Sequence, residues 1–282
     1  MPIQAIGCES MTNLESTWNN LKVFDELAAQ KTPVHLLHPC AKLLTTLVYI
    51  TMVASFGKYD LTGLLPLILY PVILISLGQL PAGYLIKRLL LVVPFVLFVG
   101  IFNPLFDSNP LLQIGKITIS GGWISFISIL IRMALTILAA LILIATGGFN
   151  QIAAALLAFK VPRVLVMQLL FLYRYLSVLL EETARILRAY SLRSFDAKGN
   201  GLKYKVWGSL VGQLLLRTIN RAERIYQAML CRGFTGEIRL LNSRKLSWKD
   251  LLYFTGWTVF FGLTRFYNIP LGIGTLLIGV GK

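Results

Sequence analysis

Two arginines sit in matching short stretches, YSLRSF at 190–195 and MLCRGF at 229–234, 39 positions apart. In each, Arg193 or Arg232 is followed by a small residue, Ser194 or Gly233, and then by Phe195 or Phe234. A guanidinium offers a planar fork of N–H donors that matches a carboxylate or phosphate, a small neighbour lets another surface come close, and phenylalanine adds an apolar anchor. The chemistry indicated is recognition rather than bond-making. Docking into a protein groove that carries an acid is one reading, and contact with anionic lipid headgroups is another. Capping a helix C-terminus, where carbonyls give the macrodipole a negative end, accounts for an arginine at each site but not for the shared small residue and Phe.

The match extends upstream without a gap. Setting Phe195 on Phe234 pairs Arg193 with Arg232, Leu192 with Cys231, Ala189 with Ala228 and Arg185 with Arg224. Arg185, Ala189 and Arg193 recur every four residues, as do Arg224, Ala228 and Arg232, so each set follows one face of a helix.

Other reactive residue types are sparse. His35 and His38 in HLLH have a spacing that fits two metal ligands on one helix face. Pro39 follows directly and no Asp or Glu stands in the turn, so no metal site is assigned to this chain. Cys8, Cys40 and Cys231 are isolated, with no C-x-x-C pair, and read as reduced or buried thiols. There is no G-x-x-x-x-G-K-[ST], no H-E-x-x-H and no G-x-S-x-G, so the chain has neither a phosphate loop nor a recognisable hydrolase centre. With 2 histidines in 282 residues, acid–base catalysis has few candidates. Glu181 and Glu182 are read as offsetting Arg185 and Arg188 along their own helix. No cofactor is implied.

The elements that position the tags belong to a membrane protein. Hydrophobic residues make up 56% of the chain and charged residues 14%, too apolar for an ordinary soluble domain. Apolar runs cover 43–56, 61–77, 89–106, 123–146 and 251–268, with a further apolar tail to 280. Pro66, Pro71 and Pro94 fall inside them, which membrane helices tolerate. Arg132 lies within the fourth run; a structural role is expected for it, through snorkelling or pairing with a polar group between helices.

Between 160 and 250 there are 17 Lys and Arg against 6 Asp and Glu, so eleven of the fifteen net positive charges lie in about a third of the chain. The positive-inside rule assigns that third to the cytoplasm, and the N-terminus with it. Tyr and Trp at the edges of these oily helices suit membrane interfaces better than nucleic-acid stacking, so no nucleic acid is expected.

Pro162 and DAKGNG bound a helix over 163–195, oily in its first half and amphipathic in its second. Its 33 positions reach roughly 50 Å. A second helix over about 203–232 repeats that order, with Gly233 and Gly236 as its stop. The expected fold is all-α and polytopic, with about five to six transmembrane helices and two long cytoplasmic helices. The expected organisation is an N-terminal cytoplasmic segment at 1–38, helices one to four over 39–160, the long-helix region at 161–248 and a C-terminal transmembrane segment at 249–282.

RAERIYQAMLCRGFTG and ARILRAYSLRSF resemble the second and first signature regions of the CbiQ-type transmembrane T component of energy-coupling factor (ECF) cobalt/nickel transporters. HPCAKLL at 38–44 is similar to the start of that family's first span, and LLAFKVPRVLVMQLLFLYRYLSVLLEE to the segment before the first signature. The resemblance implies a non-catalytic coupling subunit of an importer for divalent cobalt, or for nickel. It implies that Leu192, Arg193, Ser194 and Cys231, Arg232, Gly233 dock into two ABC-type ATPase subunits, with Phe195 and Phe234 beside them and Arg185 and Arg224 supporting. It also implies that the same helices carry a CbiM-like membrane S component that captures the metal. The usual second signature is Ala-Arg-Gly, so Cys231 and Leu192 both depart from the pattern. A membrane-embedded enzyme acting on a lipid or prenyl substrate would call for Asp-rich metal motifs, and an autonomous pore for polar spans; the sequence has neither.

Overall fold

The computed structural model describes residues 23, 25–30, 32–57, 60–102, 110–114, 117–193, 204–236 and 246–266. The described chain is helical apart from one hairpin: α1 (Pro39–Ser55), α2 (Leu61–Leu64), a 3-10 turn (Pro66–Ile68), α3 (Leu69–Gly78), α4 (Ala82–Gly100), β1 (Pro110–Ile114), β2 (Ile117–Ser120), α5 (Gly121–Ala158), α6 (Arg163–Arg193), α7 (Tyr204–Cys231) and α8 (Trp248–Phe266). It divides into two compact units. One contains residues 1–26 and 156–242, the other residues 27–155 and 243–282.

In the second unit, α1 starts at Pro39, where a missing N–H costs nothing, and His38 caps it by accepting the Cys40 N–H at 3.2 Å. The buried Asp250 carboxylate accepts the His38 N–H at 2.7 Å and the Ser247 N–H at 2.8 Å. One side chain thereby satisfies orphan donors at the starts of both α1 and α8. Between α1, α3 and α8, Tyr49 stacks on Tyr70 at 4.5 Å, Trp257 meets the edge of Tyr70 at 4.9 Å, and Phe261 lies 5.3 Å from Tyr49. Their polar ends are satisfied within the core, Tyr49 donating to the Leu67 carbonyl at 3.1 Å and Tyr70 Oη standing 3.3 Å from Thr46 Oγ1. Outside this core many large side chains face outward, among them Leu90, Leu91, Phe95 and Phe98 on α4. A surface this apolar belongs against lipid.

Arg132 donates to the Gly57 carbonyl just beyond α1. Arg265 donates to the Ser55 carbonyl at 3.3 Å and lies over the Phe56 ring at 4.9 Å. Two cations from distant helices thus meet the negative end of α1, where unpaired carbonyls otherwise remain.

The β1–β2 pair is a small local addition to an otherwise all-α fold. β1 and β2 pair antiparallel, with an irregularity between Pro110 and Leu112. β-Branched Ile117, Thr118 and Ile119 favour extended backbone, and only Gly115 and Lys116 separate the strands in sequence. Three described helical stretches are long and apolar enough to cross a membrane: Leu61–Gly78, Gly122–Ala158 and Arg163–Arg193, with Pro39–Ser55 a shorter apolar helix. Helix α6 qualifies because of its oily first half. Lys249, Asp250 and Arg265 lie inside α8, which dilutes its apolar character. Residues 267–282 lie outside the described residues, and so does the question of a second crossing there.

Helix α5 is broken at Gly148, with φ 59° and ψ 168°, a conformation open essentially to glycine alone. A Cβ there would also stand 3.0 Å from the Ala28 Cβ. Gly148→Ala is therefore expected to destabilise the protein by about 1–3 kcal/mol, measured by thermal unfolding in detergent. An unchanged melting temperature would show that the break does not depend on this residue.

Candidate functional site

The other unit carries both tags. Helix α6 starts at Arg163, directly after Pro162, and ends at Arg193; α7 runs from Tyr204 to Cys231. A carboxylate bridges them. Glu182, nearly buried, accepts from Arg217 Nη1 at 2.5 Å across the pair and lies 3.5 Å from Arg185 Nη1 one turn along its own helix. Glu182 belongs to the charged half of α6, beyond the apolar stretch. Hydrogen bonding from Arg217, helped by the charges of Arg185, Arg217 and Arg221, holds its carboxyl below the ordinary carboxylate range. Removing one partner of such a pair costs more than the pair contributes, because the other is left unmatched. Glu182→Ala is expected to lower stability by about 1–2 kcal/mol, with most of that loss absent when Arg217 is already Ala. Thermal unfolding of the four members of the cycle measures this, and fully additive losses would rule out the pairing.

Between the helices lies an open groove of about 590 Å³ with Tyr175, Val178, Leu179, Ile225 and Met229 on its apolar wall and Arg224 at its edge. On the oily half of α6, Tyr173 donates to the Asp25 carboxylate at 2.5 Å.

The end of α7 explains part of the second tag. Gly233 has φ +78°, its N–H donates to the Leu230 carbonyl at 2.9 Å, and the Phe234 N–H donates to the Met229 carbonyl at 3.0 Å. These two bonds form a Schellman motif, with glycine at the left-handed position and an apolar residue after it. Gly233 and Phe234 thus have a local role in ending the helix, one that the sequence reading credits to the glycines but not to the phenylalanine. Ending the helix there leaves Cys231, Arg232 and Gly233 exposed and Phe234 half-buried.

On α6, Leu192 and Arg193 occupy the last turn and are exposed, Leu192 at 69%. Ser194 and Phe195 lie outside the described residues. Arg185 and Arg224, the supporting pair, are both exposed, and both border the groove. The sequence reading misses Arg217, which has no counterpart in the repeated tag. It also gives Glu182 a partner on its own helix only, whereas the shorter contact is to the neighbouring one.

His35 and His38 do not converge on a metal. The His35 Nδ1 pairs with Thr32 Oγ1 at 2.6 Å while the His38 Nδ1 accepts from the Cys40 N–H. Among the described residues no group of three or more His, Cys, Asp or Glu side chains is placed to hold a metal ion.

A family profile described as a cobalt transport protein, CbiQ, matches residues 30–242, from before α1 to just beyond the second tag. The chain belongs to the CbiQ family. It is a CbiQ-type T component of the ECF transporters, a non-catalytic transmembrane subunit. The energy-coupling factor transporter transmembrane protein EcfT of Bacillus subtilis is 28% identical to this CbiQ-family chain over 228 residues, covering 76% of the chain and 85% of the relative. EcfT of Streptococcus equi subsp. equi is 28% identical over 234 residues, covering 78% and 86%. The nickel permease LarQ of Lactiplantibacillus plantarum is 31% identical over 107 residues, 38% of each chain.

Proposed function

We propose that this chain is the transmembrane coupling subunit of an ECF-type importer for divalent cobalt. In this reading it lies in the cell (inner) membrane, with α6 and α7 as coupling helices on the cytoplasmic side. ATP is hydrolysed by two ABC-type ATPase subunits, whose acid-bearing grooves receive Leu192, Arg193, Ser194 and Phe195 on one side and Cys231, Arg232, Gly233 and Phe234 on the other. The metal is captured by a CbiM-like S component seated on the same helices. When the ATPase pair closes, the two arginine ends are drawn together, and the Glu182–Arg217 bridge lets α6 and α7 pass that motion on as a pair instead of sliding past each other.

The observation that carries this reading is the pair of exposed arginines at the ends of two bridged helices, in a chain whose family match spans both. Cobalt is supported by the description of the family. Nickel is the second reading, favoured by the similarity to the permease LarQ. Co-purification from the native membrane tests the assembly: two ATPase copies per chain are expected, together with one S component. Radiolabelled uptake into vesicles holding that assembly, with cobalt and nickel competing, decides the metal. Uptake of neither ion by an intact, ATP-hydrolysing assembly would overturn the metal assignment.

A further inference from the structure

Lys42 is buried on α1, 3% exposed, where an uncompensated ammonium is costly. Its Nζ donates to the His35 carbonyl at 3.1 Å, the Thr146 carbonyl at 3.1 Å and Gln151 Oε1 at 3.3 Å. Three acceptors match the three protons of an ammonium. Their placement is informative: Thr146 lies two residues before the break at Gly148 and Gln151 three residues after it. One ammonium therefore bridges the two arms of α5, while the His35 carbonyl anchors it to the segment leading into α1. The first arm ends in carbonyls at the break, where a cation is favoured by the helix dipole. The second arm carries the chain onward, and the boundary between the two compact units falls within it, at residues 155 and 156.

We propose that Lys42 is a positioning residue that braces the break in α5. It holds the second arm at a set angle, so that movement arriving through that arm is transmitted to the membrane helices instead of being absorbed at Gly148. The transport consequence rests on the coupling role proposed above; the brace itself does not.

Two measurements separate these. Spin labels at Ile127 and Asn150, both exposed and on opposite arms, are placed in a chain whose Cys8, Cys40 and Cys231 have been replaced. Pulsed distance measurements are expected to give one narrow distribution, at least doubled in width by Lys42→Met and widened less by Gln151→Leu. An unchanged width in both variants overturns the brace, and if Lys42→Met does not fold, Gln151→Leu alone decides. In the reconstituted assembly, Gln151→Leu is expected to leave ATP hydrolysis within about two-fold while lowering ions imported per ATP at least three-fold, a split that loss of folded protein would not produce. If widths change but that ratio does not, the brace stands and its role in coupling fails. If the unaltered chain does not bind the ATPase pair at all, the coupling reading fails and the distance result still stands.

Discussion

Changing Arg193 and Arg232 together to Ala is expected to abolish stable co-purification of the ATPase subunits while the chain stays folded. Both side chains are exposed at helix ends, and neither makes an ion pair with another described residue, so truncation removes no ion pair among the described residues. Arginines centred in a docking contact are worth about 2–4 kcal/mol each on truncation, so each single variant should weaken its contact by roughly 30- to 1,000-fold. Because two contacts act together, a single variant retains partial assembly through the other, and the double variant loses both. Size-exclusion profiles of the purified chain and its complex measure this. A double variant that assembles and imports at the normal rate would rule out docking through these residues. Lys at both positions should rescue poorly, since it keeps the charge but not the planar fork.

Phe261→Ala is the second large effect expected. Phe261 is completely buried and touches Tyr49, Tyr70, Trp257 and Phe260, so its loss opens a cavity lined by four rings. Removing a buried Phe costs about 3–5 kcal/mol in soluble cores. In a membrane the solvent-transfer part shrinks while the lost packing contacts remain, which places the expectation near the lower end, about 3 kcal/mol. Thermal unfolding in detergent should fall by several degrees, and Phe261→Leu should recover more than half of the loss. A cost under about 1 kcal/mol would mean that α8 contributes little to the core.

The two results address different parts of the molecule. The arginine pair concerns the unit made of α6 and α7, where stability depends little on the tags. The phenylalanine concerns the unit made of α1 to α5 and α8, where a C-terminal helix of mixed composition is held by aromatic packing rather than by its own hydropathy.

What could be read from the sequence was local. Pro162 marked the start of α6 and Gly233 ended α7, because proline and glycine act on backbone geometry where they stand. The repeated arginine face was likewise legible, since helical spacing is a property of neighbouring residues. The ITIS strand is not legible in this way, its alternation being only four residues long. Tertiary structure alone decided which partners the charges took. Glu182 finds Arg217 35 positions away, Arg132 finds the Gly57 carbonyl, Asp250 joins His38 to Ser247, and Lys42 spans the break in α5. No spacing rule reaches such pairs, because a charge removed from water pairs with whatever acceptor the packed helices bring near it, and that depends on how the helices cross.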